Sequence, residues 1–152
     1  MLAADFLTDV IRHAVWLYLR FTLSYREENT RELVPLDWAM IHNNLCSALR
    51  AIGERESGTA RLEEAVAACR EALQERTRER VPLEWALTFG NEGVALMLLA
   101  NRRKDAAMAE TALSQINIAF ETMRDGGDAP SATYYERQLP MARAVVARLR
   151  GQ

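Results

Sequence analysis

The stretch "VPLDWA" at residues 34–39 returns as "VPLEWA" at residues 81–86, one period of 47 residues later. The match continues past these six positions without a gap. Asn44, Ala48 and Leu49 recur as Asn91, Ala95 and Leu96; Arg55, Ala60, Glu63, Ala65 and Ala72 recur as Arg102, Ala107, Glu110, Ala112 and Ala119. A fixed period in this range is the mark of a stacked structural repeat. The units run over residues 34–80 and 81–127, with a partial third over 128–152.

Each unit reads as two helices. Pro35 and Pro82 suit a first helical turn, where no backbone donor is needed. Trp38, Ile41, Leu45, Leu49 and Ile52 then follow at three-and-four spacing and predict the buried stripe of the first helix. Gly53 and the polar run "ERESGT" break it. Thr59 is placed to cap a second helix with the stripe Leu62, Ala65, Val66, Cys69, Ala72 and Leu73. In the second unit Asp105 takes the capping place, before Ala109, Ala112, Leu113, Ile116, Ala119 and Phe120. The run "DGGD" at 125–128 ends that unit, and one more helix follows, in which Pro140 is expected to cause a kink or a break. The predicted helices cover 35–53, 60–79, 82–101, 106–124 and 131–149, with no β-sheet.

The pair "NNLCSALRAIG" and "RLEEAVAACREAL" resembles a tetratricopeptide repeat of the long-linker, kinesin-light-chain type, over residues 28–149. The likeness rests on Leu45 and Cys46 in the first helix and on Ala65, Cys69, Ala72 and Leu73 in the second. Glu92 stands where that pattern has Leu, and the period exceeds the family's common 34. The resemblance implies an all-α array of antiparallel helix pairs, with the first helix of each pair lining a concave groove. It also implies noncatalytic binding of a peptide or protein partner. Asn44 and Asn91 share one register there, and Arg137 or Gln138 holds it in the third unit. A side-chain amide both donates and accepts, which matches a peptide backbone. The peptide-binding candidates are therefore Asn44, Asn91 and Arg137. Clamps for a terminal carboxylate carry Lys one turn earlier, and this chain has Met40 and Leu87 there. Asparagines that bridge neighbouring helices are the competing reading.

Residues 1–27 do not follow the repeat. Residues 6–26 resemble the N-terminal segment of bacterial insertion-sequence transposases around "HAVWLYLRFTLSYR". No catalytic residue of that family has a counterpart here. The segment predicts a helix over 6–23 that is apolar almost all round, and such a helix is buried on every side. Trp16, Leu19 and Phe21 are the candidates for self-association, and the expected assembly is a homo-oligomer, most simply a symmetric dimer. A recombination remnant without an evolved partner is the alternative to a binding module, and a DNA-binding accessory is the third reading. Against the third, residues 1–33 carry five acidic and four basic side chains, a poor footprint for phosphates.

The whole chain, of 152 residues and net charge −2, fits one domain with no basic patch for nucleic acid. Its apolar segments are too short and too interrupted by charge to cross a membrane, and no leader pattern precedes them. Cys46 and Cys69 match no common zinc or redox spacing, so they read as small buried apolar residues, and the expected location is cytoplasmic. His13 and His42 have no carboxylate at metal spacing. Glu54, Glu56, Glu63 and Glu64 lie among Arg55, Arg61 and Arg70 and read as a salt-bridged surface. No catalytic residue, metal site or cofactor is expected.

Overall fold

A computed structural model describes residues 31–151. The chain divides into two compact units, residues 1–38 and 39–152. Of the first, the described part is 31–38. In it Trp38 is buried and the Arg31 guanidinium lies 4.6 Å from the centre of its ring, while Leu33 and Val34 are exposed. The expected helix over 6–23, His13 and the self-association candidates Trp16, Leu19 and Phe21 lie outside the described residues, as does the transposase-like segment.

The described residues form five α-helices and no strand: α1 Pro35–Arg55, α2 Ala60–Glu75, α3 Pro82–Arg103, α4 Ala106–Asp125 and α5 Ala129–Arg150. They follow one another as antiparallel neighbours, so the all-α expectation holds. From α2 onward each helix packs on the next, and α3 also touches α5. The helix starts have local causes. Pro82 occupies the first turn of α3. Asp105 accepts a hydrogen bond from the Met108 amide at 2.9 Å and caps α4. Asp128 does the same for α5, accepting from the Ser131 amide at 3.1 Å. Thr59 precedes α2 but makes no side-chain cap, contrary to expectation.

α3 is the central element. Every residue from Gly90 to Met97 is buried, because α2, α4 and α5 all pack on this helix. Close approach requires small residues. A Cβ on Gly90 would lie 2.5 Å from the Tyr135 ring and 2.6 Å from the Ala119 Cβ. The core gathers Leu62, Val66 and Cys69 of α2, Val94 and Leu96 of α3, Ile116 and Met123 of α4, and Tyr135 and Leu139 of α5.

Three expectations are corrected. Helix α2 stops at Glu75, not 79, because Arg76 turns extended (φ −90°, ψ 98°) and folds its side chain inward. There its guanidinium donates to Thr88 Oγ1 at 2.9 Å, and burial lowers its pKa below the usual arginine value. Pro140 does not break α5, which runs through it to Arg150. The amide that proline lacks would have bonded the carbonyl of Glu136, and both residues are exposed, so water can serve that oxygen. The third correction is the inner face of α1. Trp38 is buried, but Ile41, Leu45 and Ile52 are 49%, 45% and 48% exposed, and the buried positions are Ala39, His42, Asn43, Cys46 and Gly53.

That rotation has a counterpart in α3. One period after Ile41 and Leu45 stand Thr88 and Glu92, and both are buried. Thr88 is covered by Arg76, and Glu92 by Arg70 of α2 at 2.7 Å. The face that α3 turns to the preceding helix is therefore the face that α1 leaves open.

Candidate functional site

The alternate helices α1, α3 and α5 bound a groove of about 440 Å³. Asn43, Ser47 and Arg50 line it from α1, Leu87 and Asn91 from α3, and Pro130, Ser131 and Tyr134 from α5. The spacing follows from helix geometry: Asn43, Ser47 and Arg50 fall on one face at steps of four and three.

Asn91 sits at the centre of this arrangement. Its amide nitrogen donates to Asn43 Oδ1 at 3.1 Å and lies 3.4 Å from Ser47 Oγ. The Tyr135 hydroxyl holds its one proton between the Leu87 carbonyl oxygen at 2.7 Å and Asn91 Oδ1 at 3.1 Å. One side chain thus ties three helices together. Burial pushes the Tyr135 phenol well above its ordinary pKa, so the hydroxyl stays a donor throughout the neutral range. Towards solvent the groove presents the Arg50 guanidinium, which is 3.4 Å from Glu54, and the Tyr134 ring, set edge-on to Tyr135 at 5.1 Å.

Of the expected peptide contacts, only Asn91 lines the groove. Asn44 is exposed one position round the helix from Asn43, and Arg137 is exposed on α5; neither is among the lining residues. Asn43, Ser47, Arg50 and Tyr134 were not singled out from the sequence. The signal for Asn43 was its place beside Asn44; the buried face of α1 decides between the two.

Glu92 forms a second polar centre. It is 4% exposed, accepts from Arg70 at 2.7 Å and receives the Gln115 amide at 3.2 Å, so it joins α2, α3 and α4. The departure from the repeat pattern at this position is thus a buried carboxylate whose charge is met by an arginine on the surface. The remaining carboxylates named from the sequence lie on the surface: Glu63 pairs with Arg103, Glu64 with Arg61 and Glu54 with Arg50. Trp85, half-buried, stacks on Phe89 with ring centres 4.8 Å apart.

Cys46 and Cys69 correct the reading of two separate apolar residues. Their sulfurs form a disulfide that joins α1 to α2, with Cα atoms 5.3 Å apart and both side chains fully buried. The first member faces inward one turn beyond Asn43.

Among the described residues no three His, Cys, Asp or Glu side chains gather as a metal-ion site. No helix among them is long and apolar enough to cross a membrane. No protein-family model, curated protein or solved structure matches the chain.

Proposed function

We propose that this protein is a noncatalytic interaction module of tetratricopeptide type, which takes an extended peptide segment of a protein partner in the groove between α1, α3 and α5. The observation that carries the reading is the lining of that groove. Amide and hydroxyl groups from three helices converge on one open channel, with Arg50 as its cation and Tyr134 as its aromatic surface. Side-chain amides and hydroxyls both donate and accept, as a peptide backbone requires. Arg50 favours a carboxylate on the bound segment.

The test is selection of short peptides on the full chain, followed by calorimetric titration of the best one. Arg50→Gln and Tyr134→Ala should each weaken binding at least tenfold, about 1.4 kcal/mol, while the far-ultraviolet spectrum stays helical. Selection that returns no binder, or a binder indifferent to both changes, would favour a chain with no evolved partner.

A second reading, self-association, is favoured by the apolar ridge Ile41, Leu45 and Ile52 on α1. Contiguous exposed apolar surface commonly marks an interaction site. A cytoplasmic location belongs to the same proposal.

A further inference from the structure

We infer that the Cys46–Cys69 disulfide is a redox-responsive staple for α1, and that reducing it releases the wall of the groove that α1 supplies. The inference rests in part on the groove reading, since the function affected would be binding there.

The reasoning begins with how α1 is held. From Ala39 onward its buried apolar residues are Ala39 and Cys46, both small. Its large side chains Ile41, Leu45 and Ile52 are exposed, and Leu49, partly buried, packs against the core. Beyond these few apolar contacts, what ties it to the rest of the second unit is polar or covalent. Asn43 and Ser47 meet Asn91, and Arg102 of α3 donates to the carbonyls of Glu54 and Gly58 at the end of α1 and in the loop beyond. Gly53 packs against Leu62. The disulfide is the one covalent tie, near the middle of the helix, with Asn43 on one side of Cys46 and Ser47 and Arg50 on the other. In α3 the corresponding position is Gly93, whose place beside Ile116 depends on packing alone. The helix with the least apolar anchorage is the one that carries the bond.

The chemistry is thiol–disulfide exchange with a dithiol reductant. Its thiolate attacks one cysteine sulfur, and the other leaves as a thiolate. The reductant's second thiol then closes on the mixed disulfide. Two electrons and two protons pass to the cysteine pair, leaving two thiols and a cyclic disulfide. Both sulfurs are fully buried, so attack requires α1 to move first. A ligand spanning α1 and α3 would oppose that movement. By linkage it would also bind the oxidised chain more tightly. Disulfides in reducing compartments are typically transient and redox-sensing, which suits a staple of this kind in a cytoplasmic module.

The test is hydrogen exchange on the full chain, air-oxidised and after dithiothreitol, with a non-reducing peptide map to establish the bond. The Cys46→Ser, Cys69→Ser double variant supplies an unstapled reference. The expected result is a linked Cys46–Cys69 peptide, and exchange in residues 42–53 accelerated at least about tenfold on reduction and in the variant, with α3 to α5 unchanged. Two unlinked thiols, unchanged exchange in α1, or a bond that native reduction cannot open would overturn the inference. So would loss of protection in every helix, because the bond would then hold the whole fold. Peptide titration separates the two claims. Equal affinity of oxidised and reduced chain refutes control of the groove by the staple. No binding in either state, with α1 still released, upholds the staple and refutes the groove reading.

Discussion

Arg150 donates to the Glu110 carboxylate at 2.7 Å, and one period earlier Arg103 donates to Glu63 at 2.6 Å. In both places the end of one helix reaches back to the first turns of the helix just before it in sequence. The period is therefore a repeat of contacts as well as letters. Hydrogen bonding to Glu110 raises the Arg150 pKa, and hydrogen bonding from Thr59, then the Arg103 charge, lowers that of Glu63. All four side chains face water, where such pairs hold little stability. Glu63→Gln and Glu110→Gln should leave the thermal midpoint unchanged. A fall of several degrees in either would show that the repeated pair is structural.

Gly90 should tolerate no side chain. Alanine there gains helix propensity of about 1 kcal/mol, but its methyl would meet the Tyr135 ring and the Ala119 Cβ inside 2.7 Å, at 2.5 and 2.6 Å. Neither neighbour is the tip of a flexible chain. Overpacking of this kind costs roughly 1–3 kcal/mol and should outweigh the propensity gain. Urea denaturation of Gly90→Ala should show a net loss; Gly58→Ala, with nothing within 4 Å of the new methyl, serves as the control.

Tyr135 should make the fold sensitive to alkali. Burial raises its folded-state pKa, so above the unfolded value of about 10 the unfolded chain loses a proton that the native chain keeps. The stabilisation is complete below that pH and declines as pH rises towards the folded pKa, by up to about 1.4 kcal/mol per unit. Tyr135→Phe should remove this contribution to the slope. At neutral pH it should cost about 1 kcal/mol through the lost bond to the Leu87 carbonyl. Denaturation of both proteins between pH 8 and 11, values on the order of the phenol range, checks the sign.

Lys104 ends α3 in the left-handed region, at φ 59° and ψ 36°. A side chain costs roughly 1–2 kcal/mol there and glycine almost none. Lys104 is exposed, so Lys104→Gly should raise stability by about 1 kcal/mol, less the greater freedom of glycine in the unfolded chain. No change in the urea midpoint would mean that the two effects cancel.

The helices were legible because their ends are marked by chemistry in the sequence: Pro82 at a first turn, Asp105 as a cap, and "DGGD" at a boundary. The facing of α1 was not. Periodicity identified Trp38, Ile41, Leu45 and Ile52 as one stripe, but a stripe does not say which neighbour covers it. In the second unit the positions of Ile41 and Leu45 hold Thr88 and Glu92, covered by Arg76 and Arg70. The same registers in α1 have no such cover among the described residues, so the inward side passes to Ala39, Asn43 and Cys46. The groove turned with it, from Asn44 to Asn43. The disulfide lay beyond reach for another reason: a separation of 23 residues matches no motif, and only the crossing of α1 and α2 brings the sulfurs together.

Leu45 and Glu92 give the last prediction. They share one register, yet Leu45 is 45% exposed and Glu92 4% exposed. An apolar residue in water beside a buried carboxylate one period later reverses the usual arrangement of side chains. If the ridge Ile41, Leu45 and Ile52 is the self-association surface, burial of each such side chain contributes up to about 1.5–3 kcal/mol to assembly. A charge placed there would have to be desolvated on association. Leu45→Glu copies the residue that the second unit already carries, and at an exposed position it should change the folding midpoint by less than about 0.5 kcal/mol. Sedimentation should show wild-type chain larger than a monomer at micromolar concentration and Leu45→Glu shifted to the monomer. A wild-type chain that sediments as a monomer, or an assembly unaffected by Leu45→Glu, would remove this ridge from the account of self-association.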